Sequence, residues 1–254
     1  MIKAAFFDID GTITKDLKIP DSFKLALNKL KEKEILCIIA TGRHQLEIDQ
    51  INLLEDLKFD AYLTLNGAYC FDKEGVFFDT PIDASDIEAI VKQIQVNPYP
   101  IMFIEKDKMY INMINDQLIK AQESVHMEIP IVLDPKRALV HTIYQLIPFI
   151  EDEKIIQITK NCQLTRWHEY ACDIVSKQTS KKVGIQKCLE HYHIHRENTI
   201  AFGDGLNDID MLEYAAIGVA LGNAHQEVKE IADYITSSVH EDGVYKALLH
   251  YHII

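Results

Sequence analysis

The stretch Ala4-Ala5-Phe6-Phe7 is an uninterrupted apolar run that ends in Asp8-Ile9-Asp10-Gly11. A short apolar run closed by turn residues has the pattern of a strand buried on both faces, and such strands belong to parallel sheets covered by helices. Side chains two apart on a strand share a face, so Asp8 and Asp10 leave the strand end on the same side. Gly11 lets the chain turn sharply beyond them. Two carboxylates this close repel each other unless a cation or a shared proton settles their charge. The open end of a parallel α/β sheet is also where ligands bind. Taken alone, the segment reads equally well as a strand and an acidic turn, so the rest of the chain decides.

The same pattern recurs. Ile35 to Ala40 is apolar and ends in Thr41-Gly42-Arg43, and Ala61 to Leu65 ends in Asn66-Gly67. Thr199 to Phe202 runs into Gly203-Asp204-Gly205-Leu206-Asn207-Asp208, and Ile217 to Leu221 into Gly222-Asn223-Ala224. Helical patterns lie between these runs. One opens at Pro20-Asp21-Ser22 with Phe23, Leu27 and Leu30 on one face. A second presents Leu46, Ile51, Leu54 and Leu57. A third starts at Ser180 and carries Val183, Ile185, Cys188 and Leu189. Shorter ones hold Met211, Leu212 and Tyr214, then Val228 and Ile231. Tyr69 to Phe71 and Val76 to Phe78 read as a hairpin, Tyr234 to Thr236 as an edge strand, and Asp242-Gly243-Val244 as the start of a last helix. Strands alternating with helices imply right-handed crossovers and a parallel sheet.

After Thr80-Pro81 the order changes. A helix with Ile87, Ile90, Val91 and Ile94 precedes strands at Ile101 to Glu105 and Met109 to Met113. Asn115 opens a helix with Leu118, Ile119 and Val125, and Thr142 to Phe149 is strand-like. A helix is expected from Glu151 through Ile155, Ile156 and Ile158, then strands at Cys162 to Trp167 and Ala171 to Val175. Clustered strands of this kind suggest an antiparallel insert. The expected fold class is α/β, a Rossmann-like parallel sheet core over 1–80 and 178–254 with an α+β domain inserted at 81–177.

The 254 residues include 26 basic and 39 acidic ones, a net charge of -13. That balance argues against a nucleic-acid or anionic-membrane partner, both of which require a basic patch. It leaves room for a small anion, which needs only local positive charge. The 5 cysteines are scattered, without a C-x-x-C pair, so neither zinc nor a disulfide framework is indicated, and free thiols fit a reducing cytoplasm. Asp8 interrupts the N-terminal apolar stretch before a leader pattern can form. The apolar region around Ala138 to Ile150 is broken by His141, Gln145 and Pro148 and does not suit a bilayer span. His191, His193 and His195 lie near a helix end, where a cationic ring is favourable, and need no metal. For Trp167, Tyr170, Met109 and Tyr110, core packing is the default.

In a parallel sheet all C-terminal strand ends lie on one edge. Asp8, Asp10, Thr41, Asp204 and Asp208 therefore converge there, with Lys181 at a helix start. The Asp204 to Asp208 segment lacks the ligand spacing and distal glutamate of an EF-hand calcium loop. Basic residues at a helix N-terminus oppose its dipole, which favours an anion beside Lys181. Carboxylates and a divalent cation form a hard oxygen site of the magnesium kind that admits a substrate phosphate. Cation, lysine, hydroxyl and backbone N–H groups around one point suit phosphoryl transfer.

Asp8-Ile9-Asp10-Gly11-Thr12, Thr41-Gly42-Arg43, Lys181 and Gly203-Asp204-Gly205-Leu206-Asn207-Asp208 occur in an order that resembles the haloacid dehalogenase-like phosphatases. Within them the chain is similar to the Cof-type branch, in which a large α/β cap is inserted in the core. Asn66-Gly67-Ala68, the Asp173-Ile174 pair before the lysine helix and Asp242-Gly243-Val244 extend the resemblance over essentially the whole chain. It implies that Asp8 is the nucleophile and that Asp10 is the general acid/base, also touching the metal through its carbonyl. It implies phosphate contacts from Ile9, Thr41, Gly42, Arg43, Asn66, Lys181 and Asn207. Magnesium would be held by Asp8, Asp10, Asp204 and Asp208. Thr41 and Lys181 join the catalytic set, with Lys177 as the alternative lysine because Ser180-Lys181-Lys182 replaces the frequent Ser-Lys-Gly. The implied activity is hydrolysis of small phosphomonoesters, sugar phosphates or phosphorylated cofactors, under a mobile lid. A phosphosugar mutase or a phosphometabolite-binding sensor remain alternatives. A cytoplasmic monomer or homodimer with a small phosphorylated metabolite as its partner is expected.

Overall fold

The computed structural model describes residues 1–14, 16–54, 57–152 and 158–254. The chain divides into two compact units. The first comprises Met1–Arg43, Ile48–Asp79 and Ser180–Ile254, the second His44–Glu47 and Thr80–Thr179.

The first unit is built on β1 (Ala4–Phe7), β2 (Leu36–Ala40), β3 (Ala61–Thr64) and the hairpin β4 (Tyr69–Asp72) and β5 (Gly75–Asp79). Its remaining strands are β12 (Thr199–Gly203), β13 (Ile217–Ala220) and β14 (Tyr234–Ile235). They form one 8-stranded sheet in the order β14-β13-β12-β1-β2-β3-β4-β5. From β14 to β3 all neighbours are parallel, and β4 and β5 close the far edge antiparallel. Parallel pairing sets Phe7 beside Phe202 and Ile39, so the ends of β12, β1 and β2 stand level at one rim.

Alternation along the strands splits the core in two. Ala5 and Phe7 face one cluster with Phe23, Leu27 and Leu30 of α1 (Asp21–Glu32) and Val244 and Leu248 of α8 (Gly243–His250). Ala4 and Phe6 face the other, with Ile185 and Leu189 of α5 (Lys181–Tyr192), Met211 and Leu212 of α6 (Ile209–Tyr214) and Val228 of α7 (Gln226–Ile231). Two-sided burial is why these strands read as continuous apolar runs rather than alternating ones.

The second expected helix is shorter than its pattern suggested. It is α2 (Gln45–Gln50), and Ile48 is its buried residue while Leu46 is exposed. So few residues cannot sustain the long apolar face expected from Leu46 to Leu57. The expected strand from Ala61 ends at Thr64, because Leu65, Asn66 and Gly67 leave the extended conformation for a tight turn with positive φ.

The second unit holds β6 (Ile101–Ile104), β7 (Met109–Ile111), β8 (Ile131–Val132), β9 (Gln145–Pro148), β10 (Cys162–His168) and β11 (Ala171–Ser176). They form a 6-stranded sheet in the order β10-β11-β9-β6-β7-β8, antiparallel except for the β7–β8 pair. Its helices are α3 (Ala84–Val96), capped by Asp83, and α4 (Asp116–Ser124), capped by Asn115. Ile87, Ile90, Val91, Phe103, Tyr110 and Leu146 share its core. β8 was not foreseen: two exposed residues carry no periodic signal. The helix expected from Glu151 to Ile158 falls largely on residues 153–157, outside the described residues.

Candidate active site

The β1 strand delivers Asp8 to the rim as a buried side chain. Beyond it the Ile9 carbonyl accepts the N–H groups of Thr12, Ile13 and Thr14, while the Ile9 side chain lies in the core. Gly11 takes φ +77° in this turn, a conformation that side chains resist. A Cβ there would lie 2.1 Å from Asp204 Oδ2, so the turn runs directly against that carboxylate.

The end of β12 brings Asp204 and Asp208 to the same place. Asp208 Oδ2 accepts the N–H groups of Asp204 and Gly205, both at 2.9 Å. Asp208 Oδ1 receives Lys181 Nζ at 2.6 Å. Lys181 is the first residue of α5, whose cap is Ser180. Its ammonium is buried and also meets Asp8 Oδ1, at 2.5 Å. Burial disfavours this ammonium, but Asp208 and Asp8 overcome the penalty and raise its pKa.

The carboxylates remain over-charged. Burial pushes Asp8 well above the usual carboxylate range; Lys181 opposes the shift, and Asp208, Asp204 and Asp10 add to it. Burial and the neighbouring Asp208 push Asp204 up to about 7. Carboxylate oxygens of Asp8, Asp204 and Asp208 all lie within 4.8 Å of one another. An all-oxygen set with unbalanced negative charge fits a hard divalent cation. Asp208 suits direct contact least, because two backbone amides and the Lys181 ammonium together engage both of its oxygens.

Asp10 lies outside that cluster. Its exposed carboxylate is gripped by Arg43, with Nε to Oδ2 at 2.7 Å and Nη2 to Oδ1 at 2.9 Å. Thr41 is buried and its hydroxyl oxygen accepts the Arg43 N–H, across Gly42. The β3 end is tied to this turn, since Asn66 N–H donates to the Thr41 carbonyl at 2.9 Å. Leu65, Asn66 and Gly67 all have positive φ. That turn presents Asn66 Oδ1 to the Asn207 amide at 3.0 Å. Lys177 is exposed and bonds the Lys160 carbonyl within the second unit. His191 bonds Asp72 and stacks on Phe77, a structural use.

Two residues escaped the reading of the sequence. Thr12 donates its hydroxyl to Asp204 Oδ1 at 2.8 Å, and Asn223 donates to Asp204 Oδ2 at 3.1 Å. Both sit beside recognised turns, in Gly11-Thr12 and Gly222-Asn223, and that adjacency was their only signal.

The sequence pattern of the haloacid dehalogenase-like hydrolases matches residues 5–248. The Bacillus subtilis protein named "Putative phosphatase YkrA" is 34% identical over 95% of this chain and 95% of its own. The 5-amino-6-(5-phospho-D-ribitylamino)uracil phosphatase YcsE of the same organism is 28% identical, over 98% of this chain and 96% of its own. The solved structure of the HAD subclass IIB sugar phosphatase BT4131 superposes with a TM-score of 0.88 at 35% identity, covering 99% of this chain and 100% of that one. The chain belongs to the haloacid dehalogenase-like hydrolase family. Within that family it is an enzyme of the phosphatase type, acting on phosphoric monoesters. No helix among the described residues is long and apolar enough to cross a membrane.

Proposed function

We propose that this enzyme is a magnesium-dependent phosphatase of the Cof type that hydrolyses small phosphomonoesters through an aspartyl-phosphate on Asp8. The observation that carries the reading is the buried Lys181 ammonium 2.5 Å from Asp8 Oδ1, beside Asp204 and Asp208. Lys181 fixes one oxygen of Asp8 and leaves the other to attack phosphorus. The bond from phosphorus to the ester oxygen breaks, and the departing oxygen takes a proton that Asp10 carries on one oxygen, that oxygen having given up its prong of the Arg43 contact. Asp10 then accepts a proton from water, whose oxygen attacks the phosphoryl group, releases inorganic phosphate and restores Asp8. Thr41, the Gly42 turn, Arg43 and Asn207 supply donors around the phosphoryl oxygens. Magnesium, when bound to Asp8, Asp204 and the Asp10 carbonyl, supplies positive charge to offset that of the carboxylates and the phosphoryl group.

The names of the similar proteins support sugar phosphates and phosphorylated ribitylaminouracils as the substrate class to test first. A phosphate-release screen over such metabolites, with and without a chelator, tests the reading. Turnover that needs added magnesium and vanishes in Asp8→Asn is expected. Equal turnover in a clean Asp8→Asn preparation overturns the nucleophile, and isomerised sugar phosphate without free phosphate points to a mutase.

A further inference from the structure

Asn223 stands in the turn that follows β13, and three polar contacts use its one amide. Its Nδ2 donates to the Gly11 carbonyl at 2.8 Å and to Asp204 Oδ2 at 3.1 Å. Its Oδ1 accepts the Val239 N–H at 3.0 Å. A single side chain thus ties together the turn after β1, the end of β12 and the turn at 238–239.

The backbone that carries this amide is itself fixed. Gly222 N–H donates to the Ser237 carbonyl at 3.1 Å, and a Cβ on Gly222 would lie 2.7 Å from the Ser238 nitrogen. Two residues beyond Asn223, the His225 N–H donates to the Asp204 carbonyl at 3.1 Å. Asp204 is therefore held through its main chain and its carboxylate by one turn. Thr12 holds the opposite carboxylate oxygen at 2.8 Å.

We propose that Asn223 is a positioning residue that orients the Asp204 carboxylate and thereby sets the affinity of the site for a divalent cation. The inference rests on the magnesium reading given above. A carboxylate free to rotate presents its lone pairs to a cation only part of the time. Two neutral donors, one on each oxygen, fix its plane without adding positive charge that would compete with the cation. Partners of this kind, one step removed from the metal, typically change metal affinity by about 10–100-fold when removed.

The test is calorimetric titration of Mg2+ into the full chain, original and Asn223→Ala, beside thermal unfolding without metal and turnover at graded Mg2+. A dissociation constant weakened by about 10–100-fold is expected, with the Mg2+ concentration for half-maximal turnover rising in step. Lost packing alone would lower the unfolding temperature and leave the dissociation constant in place. If Asn223→Ala does not fold, Asn223→Ser takes its place, since a serine hydroxyl is too short to serve both Gly11 and Asp204. Unchanged Mg2+ affinity in a folded variant overturns the role of Asn223 alone. Failure of the original chain to bind Mg2+ overturns the magnesium reading as well.

Discussion

Arg43 grips Asp10 with a two-pronged contact, Nε and Nη2 each meeting one carboxylate oxygen at 2.7 and 2.9 Å. The planar guanidinium dictates the plane of the carboxylate, which a lysine ammonium cannot do. If Asp10 is the proton carrier, its orientation depends on Arg43. Asp10→Asn should lower kcat by about 10²–10⁴, the usual worth of a positioned acid/base group. Arg43→Lys should lower it less, because the charge survives and only the fork is lost. Steady-state kinetics with a generic phosphomonoester measures both. A larger loss in Arg43→Lys than in Asp10→Asn would mean that Arg43 acts chiefly elsewhere.

Lys181 and Lys177 are separated by four positions in sequence and by very different surroundings. Lys181 is buried between Asp8 and Asp208, whereas Lys177 is exposed with a backbone carbonyl as its partner. Removing one member of a buried ion pair leaves the other charges stranded, at a cost of about 3–5 kcal/mol. Lys181→Met should lose stability on that scale at pH 7.5, and less near pH 5, where Asp8, already held well above the usual carboxylate range by burial, can take a proton. Lys177→Ala should lose about 1 kcal/mol or less, the net worth of one hydrogen bond. Urea unfolding of the two variants distinguishes the lysines without any assay of activity.

The sequence made the parallel core legible because β1, β2, β3 and β12 are buried on both faces and bounded by turn residues. The rim rule then joined Asp8, Asp204, Asp208 and Lys181, although Asp8 and Lys181 are 173 positions apart. What could not be read depends on how far a side chain reaches. Whether Asp10 turns to the carboxylates or to Arg43 is a matter of rotamer, and nothing in the D-x-D spacing decides it. Asn223 serves Asp204 across neighbouring strands, a relation that requires strand order and register. Leu46 shows another limit: its helical spacing with Ile51, Leu54 and Leu57 extends over more residues than the helix Gln45–Gln50 contains.

Burial of the carboxylates, reinforced by the repulsion among them, makes stability depend on pH. With no cation bound, burial and the neighbouring Asp208 push Asp204 up to about 7 from an ordinary 3.8. Below about pH 4 both folded and unfolded chains hold the proton. Between pH 4 and 7 the unfolded chain releases it first, so folding loses ground as pH rises, by about 1.4 kcal/mol for each unit of difference. Asp8 is displaced in the same direction. In EDTA the unfolding temperature should therefore fall from pH 5 to pH 7.5. Added Mg2+ should raise it more at pH 7.5, since a cation binds the deprotonated carboxylate. Asp204→Asn should flatten the slope and reduce the response to Mg2+. Differential scanning calorimetry reads all three, and a slope unaltered in Asp204→Asn would assign the pH dependence to other groups.

Gly11 and Gly75 both have positive φ, +77° and +133°, but only Gly11 approaches another group. A Cβ on Gly75 would meet nothing within 4 Å, while one on Gly11 would sit 2.1 Å from Asp204 Oδ2. An alanine at either position must bear a strained backbone, at about 1–3 kcal/mol. Only at Gly11 must a carboxylate of the candidate site also move. Gly75→Ala should thus lower the unfolding temperature and leave Mg2+ affinity and kcat/KM near their original values. Gly11→Ala should lower stability and also weaken Mg2+ binding and turnover, since Asp204 cannot keep its place. Equal effects of the two substitutions on Mg2+ binding would show that the close approach of Gly11 to Asp204 is not what shapes the site.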